Sequence, residues 1–127
     1  MLSNKDALIA YAKMMNRLDS IEFESLLHDD FRYESQTVLT PIIGKYEFVE
    51  YIRPKLITIK NSKSLLFAEL AELDAYGQKN CVLIAQNDKD NLLAVAYSKV
   101  NENKITSIDI YIVPDPKTAL RSGIYPV

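Results

Sequence analysis

A chain of 127 residues with 48% hydrophobic and 25% charged side chains fits one globular domain spanning residues 1–127. Its 17 acidic and 15 basic residues give a net charge of −2, and the basic residues form no dense run, which argues against nucleic acid as a partner. The single cysteine, Cys81, rules out an internal disulfide, and no apolar run approaches the ~20 residues that span a bilayer. No basic-plus-apolar leader opens the sequence, so the expectation is a cytoplasmic protein with no membrane partner.

Leu8, Tyr11, Ala12, Met15 and Leu18 recur at three- and four-residue spacing and predict a first helix. Ser3 suits its N-cap, and Asp6 suits the positive end of the helix dipole. A short second helix is predicted over Ser20 to Leu27, burying Ile21, Phe23, Leu26 and Leu27. An extended stretch follows from Phe31 to Val38. There Phe31, Tyr33, Ser35 and Thr37 share one side, while Arg32, Glu34 and Gln36 share the other. Pro41 and Gly44 punctuate a turn. A third helix then starts near Lys45, buries Phe48, Val49, Ile52, Leu56 and Ile59, and contains Pro54, where a kink is expected.

The second half reads as strands near 64–73, 79–88, 91–101 and 104–114, joined by short turns into an antiparallel meander. Residues 115–127 carry Pro116, Gly123 and Pro126 and are expected to form an irregular C-terminal tail that packs over the body. Two strands, around Cys81–Ala85 and Leu92–Tyr97, are apolar on both sides instead of alternating. Helices cover one face of a sheet, and too little chain is left for the other. A homodimer through the sheet face is therefore expected to supply the second cover; a sheet curled on itself, with one face partly exposed, is the alternative.

The order of helix, helix, strand, helix and curved antiparallel sheet resembles the nuclear-transport-factor-2-like superfamily, with its SnoaL-like and ketosteroid-isomerase-like branches. Asp19-Ser20-Ile21-Glu22 and Leu27-His28-Asp29-Asp30-Phe31 resemble its entry from helix to strand. Tyr33-Glu34-Ser35-Gln36, Ile43-Gly44-Lys45 and Tyr51 resemble an uncharacterised bacterial subgroup, and Ile108-Asp109-Ile110-Tyr111 resembles the last strand. The resemblance covers roughly residues 3–114. It implies an α+β fold: a cone-shaped, cystatin-like α+β barrel with N-terminal helices packed on a curved antiparallel sheet. Fold alone does not give function.

Several chemistries lack their residues. Metal sites need clustered ligands, and there is one His and one Cys without suggestive spacing. His28 reads as a surface or capping residue, and Cys81 as an inert core thiol. Only three glycines occur, none in a phosphate loop, so neither a cofactor nor a metal is expected. Ketosteroid isomerases use a helix-one Tyr, an Asp base and a protonated Asp. By the resemblance these positions fall on Ala12, Ser35 and, within a residue, Ala96, so that mechanism is disfavoured. Tyr11 is adjacent to the first position but about 100° round the helix. The epoxide-hydrolase type needs Asp and Arg on barrel strands, and no Arg lies in the last four.

Asp109, in a strand where aspartate is rare, is the candidate catalytic acid or base. By the resemblance, Tyr33, Tyr51, Tyr97 and Tyr111 fall in elements that line the barrel. With Ser35 and Asp109 they make a candidate pocket for a small hydrophobic or amphiphilic ligand. Three functions compete: a small-molecule-binding domain; a lyase, cyclase or isomerase using Asp109 with Tyr33 or Tyr111; and a non-catalytic interaction domain that uses the sheet face, with a tightly filled barrel and with Val82, Ile84 and Val95 exposed in a partner-dependent way.

Overall fold

The computed structural model describes residues 1–127. Helix α1 runs over Asn4–Arg17. A reciprocal capping box starts it: Ser3 Oγ accepts from the Asp6 amide at 3.0 Å, and Asp6 Oδ2 accepts from the Ser3 amide at 2.9 Å. Its Leu8, Tyr11, Ala12 and Met15 face the sheet and are buried. The one-turn helix α2 (Ile21–Glu24) leads into β1 (Leu27–Ser35).

A short strand absent from the sequence reading, β2 (Val38–Ile43), then pairs back on β1. It contains Pro41, which a sheet tolerates here because β2 is an edge strand. Gly44 ends it with φ +102°, a conformation L side chains rarely adopt, and so turns the chain into α3 (Lys45–Asn61). Pro54 lies inside α3.

Four strands follow: β3 (Leu66–Ala75), β4 (Gln78–Gln86), β5 (Leu92–Asn101) and β6 (Lys104–Tyr111). They form the expected antiparallel meander. The whole sheet differs from expectation in being mixed and open. Its order is β2-β1-β6-β5-β4-β3-β7, with β1 lying parallel to β6, and it does not close into a barrel.

The seventh strand lies in the segment expected to be irregular. After a 3-10 turn at Pro116–Thr118, β7 (Leu120–Ile124) pairs with the outer edge of β3. Where that pairing stops, the Asn16 side chain takes over. It donates to the Ala68 carbonyl at 2.8 Å, accepts from the Ala68 amide at 2.7 Å, and donates to the Pro126 carbonyl at 2.7 Å. Buried Glu69 fixes the same segment through Arg121 at 2.9 Å, the Gly123 amide at 2.8 Å and the Tyr125 hydroxyl at 3.2 Å.

This tail answers the question posed by the doubly apolar strands. The inner face of the sheet carries Ala68, Val82, Ile84, Ala94, Ala96 and Ile108 against the helices. The outer face carries Ala71, Cys81, Leu83, Val95 and Tyr97, a second cluster against which Tyr111 and Ala119 pack. Pro116 is buried beside it. The chain's own C-terminal segment is the second cover, which removes the reason for requiring another copy there. No helix is long and apolar enough to cross a membrane.

Candidate functional site

The inner face is not filled along its whole length. Between α1, α3 and the sheet lies a cavity of about 620 Å³, lined mainly by apolar side chains including Met15, Leu66, Ile84, Ala94 and Ile110. Its volume is in the range of sites for small organic molecules. Strand alternation sets the lining: Tyr33 and Ser35 of β1 project inward, as do Ile110 and, just past β6, Ile112. From α3 come Tyr51, Lys55, Thr58 and Ile59, three or four residues apart and therefore on one helical face.

Three phenols descend into this space. Tyr51 is half-buried, Tyr33 is 8% exposed, and Tyr11 is fully buried. The rings of Tyr33 and Tyr51 are 5.8 Å apart. An edge-to-face aromatic group of Phe23, Phe31 and Phe48 backs them, with Tyr11 at 5.8 Å from Phe23 and Tyr33 at 5.2 Å from Phe48. The Tyr11 hydroxyl is buried and has no hydrogen-bond partner. Burial pushes its pKa well above the usual phenol value, and the neighbouring Tyr33 hydroxyl adds to the rise without making a well-formed hydrogen bond. Burial raises Tyr33 as well, with Tyr51 contributing. Both phenols therefore keep their protons at neutral pH and are available as donors.

At the exposed end, Lys55 Nζ donates to the Tyr51 hydroxyl at 2.8 Å and lies 5.2 Å from that ring's centroid. Ser35 Oγ shares a 2.9 Å hydrogen bond with Thr37 Oγ1. No Asp, Glu, His or Cys lines the cavity. No cluster of His, Cys, Asp or Glu anywhere in the chain could hold a metal ion.

The structure thus brings Tyr33, Ser35 and Tyr51 together and places the other three sequence candidates elsewhere. Tyr97, Asp109 and Tyr111 project from the outer face. Tyr97 is opposite Asp109 in the β5–β6 ladder, and its hydroxyl donates to the Leu73 carbonyl. Burial pushes the Tyr97 phenol up to about 12. Tyr76 stacks on Tyr111 with ring centroids 3.9 Å apart, and both meet the Tyr97 edge. Asp109 is half-buried beside Ser107, whose Oγ donates to it at 3.3 Å. Its carboxyl is raised above the usual range, first by burial and then by Glu34, with Lys99 acting in the opposite direction. A carboxylate there has the sheet between itself and the cavity.

The physical reason for the misplacement is parity. Odd residues from 107 to 111 share a face, but which face is inward depends on neighbouring strands. An irregularity in the β5–β6 register lets Ile105 and Ile108 both reach the inner core. Elsewhere, the buried Cys81 thiol is pushed up to about 12 by burial. His28 Nδ1 accepts from the Asp30 amide at 3.0 Å, in keeping with a local structural role.

Tyr11 and Lys55 lie outside the candidate pocket that the sequence suggests. The sequence places Tyr11 on the buried face of α1, and the structure makes it the phenol at the cavity floor. Lys55 stands on the same helical face as Tyr51, and nothing in the sequence alone singles it out.

Neither a protein-family model nor a curated protein sequence matches the chain. Solved structures do. A nuclear-transport-factor-2-like protein of unknown function from Cytophaga hutchinsonii aligns with a TM-score of 0.60 at 14% identity, covering 91% of this chain and 95% of its own. A candidate polyketide cyclase from Xanthomonas campestris pv. campestris aligns at 0.59 and 17% identity, over 85% and 88% of the two chains. An epoxide hydrolase/cyclase-like enzyme with a role in pyran ring formation in the polyether salinomycin aligns at 0.59 and 15%, also over 85% and 88%. At these identities the likeness is one of fold: the chain has the nuclear-transport-factor-2-like, cystatin-like architecture.

Proposed function

We propose that this protein binds a small, largely apolar organic molecule in the inner cavity and holds one of its oxygens against the Tyr11 hydroxyl. One observation carries the reading: the Tyr11 hydroxyl, which makes no well-formed hydrogen bond to the protein, is buried at the floor of an apolar cavity of about 620 Å³. A buried polar group left unpaired costs about 1–3 kcal/mol, and a carbonyl or hydroxyl oxygen of a ligand would remove that cost. The cyclase-like proteins that share the fold lend weight to a small organic ligand.

The two competing readings lose support. An enzyme using Asp109 requires that carboxylate to face the ligand, and Asp109 lies across the sheet while the lining holds no carboxylate. A non-catalytic interaction domain predicts a tightly filled barrel, and the cavity of about 620 Å³ between the helices and the sheet weighs against that.

Thermal unfolding in the presence of aryl ketones, phenols and terpenoid alcohols tests the proposal. A ligand at 100 times its dissociation constant raises stability by about 2.7 kcal/mol, a shift of several degrees. Tyr11→Phe is expected to weaken a carbonyl ligand about tenfold. Ala94→Phe, which puts a ring into the cavity, is expected to abolish binding. A ligand bound equally well by the wild type and both variants sits elsewhere and ends this reading.

A further inference from the structure

The polar groups of the cavity are graded from floor to mouth. At the floor are protonated phenols, which are neutral donors. At the mouth stands Lys55, the single charged side chain of the lining. The whole chain carries more acidic than basic residues, yet no carboxylate lies within ion-pair distance of Lys55, and none lines the cavity. A solvated surface lysine usually sweeps a wide volume. This one is held by its 2.8 Å hydrogen bond to Tyr51, whose ring also lies beneath the ammonium. Thr58, one turn further along α3, adds a hydroxyl to the same wall.

From this arrangement we infer that the ligand is an organic acid: an apolar body with its carboxylate at the mouth, paired with Lys55. The inference rests on the binding function proposed above and deepens it. An ammonium has three donors and Tyr51 occupies one, which leaves two for a carboxylate. A charge-assisted bond at the edge of an apolar, low-dielectric cavity is stronger than the same pair in open water. The apolar walls exclude a small hydrophilic acid, since nothing along Met15, Leu66, Ile84 or Ile110 would repay the loss of its hydration.

The test uses three probes that share one alkyl chain, namely decanoate, decanol and decylamine, each titrated against the intact protein by calorimetry at low salt. Decanoate is expected to bind about tenfold more tightly than decanol, with decylamine weakest. Added salt should shrink the difference. In Lys55→Met, which keeps an unbranched apolar stem, the ratio of decanoate to decanol affinity should fall to about one. Lys55 is exposed, so its melting temperature should match the wild type. Equal affinity for decanoate and decanol in the wild type overturns the acid assignment and leaves the binding function standing, as does a preference that survives in Lys55→Met. If none of the three probes binds the wild type, the binding function falls and the acid assignment falls with it.

Discussion

The two faces of the sheet are built from alternate residues of the same strands, and both are apolar, yet they end differently. The outer face is closed. Leu83, Val95 and Tyr97 are sealed under a tail that lies directly on them, and two of its tyrosines have acceptors, Tyr97 the Leu73 carbonyl and Tyr76 that of Val113. On the inner face, α1 and α3 stand off from Ile84, Ala94 and Ile110, and the deepest tyrosine, Tyr11, has no partner. Apolar patterning does not distinguish a face that packs from a face that receives a ligand. The hydrogen-bond state of buried hydroxyls does.

The largest expected effect breaks the seal of the outer face. Arg121→Met leaves Glu69 buried with its charge uncompensated, at a cost of about 3 kcal/mol. It should lower the urea midpoint clearly while leaving ligand affinity in the cavity unchanged. An unaltered midpoint would mean that the tail is not what closes that face.

The helical cover of the inner face has its own ion pair. Arg53 binds both oxygens of Glu24 at 3.0 and 2.6 Å, and the Ser20 hydroxyl donates to the same carboxylate at 2.6 Å. These contacts, led by the hydrogen bond from Arg53, hold the Glu24 pKa below its ordinary value of 4.5. The resulting stability is fully present above that value and is lost as pH falls through the lower folded pKa. Glu24→Gln should cost about 1.5 kcal/mol at neutral pH and less in acid. A constant cost across an acid titration would count against the pair.

The sharpest form of the comparison is a pair of matched substitutions. Tyr97→Phe removes a satisfied hydroxyl from the outer face and strips the Leu73 carbonyl of its donor, so it should destabilise by about 1 kcal/mol. Tyr11→Phe removes an unsatisfied one from the inner face and should stabilise the unliganded protein by about 1 kcal/mol while weakening binding. Effects of the same sign in denaturant unfolding would erase the distinction between the faces.

The smallest effect concerns Asp109. Its raised pKa favours the folded state below the ordinary value of 3.8, and that contribution is lost as pH rises through the higher folded value. Asp109→Asn should therefore stabilise slightly at neutral pH and leave ligand affinity unchanged. A loss of binding would return the carboxylate to the site.

Much of the fold was legible in the sequence, because period and punctuation report local geometry. Ser3 and Asp6 marked the start of α1, and the short turns after Ala75 and Asn101 marked the meander. β2 and β7 were missed because Pro41 and Gly123 sit within them, and edge strands accept residues that inner strands reject. The site was only half legible. Alternation from Phe31 to Thr37 put Tyr33 and Ser35 on one side, and both line the cavity. Tyr11 could not be read out, because helical periodicity marks a residue as inward without saying whether it meets a side chain or a void. For Tyr97, Asp109 and Tyr111 the sequence indicates only the strand; parity separates two faces of a strand, and only its neighbours show which is inside.

The parallel pairing of β1 with β6 has a consequence for how the protein is made. Tyr33 is matched with Ile108 in that ladder, so an early strand finds its central partner only after most of the chain has been translated. Until then the nascent α1, α2 and β1 have no sheet to cover, and β1 exposes a bare edge. Such long-range pairing slows folding and lengthens exposure to aggregation.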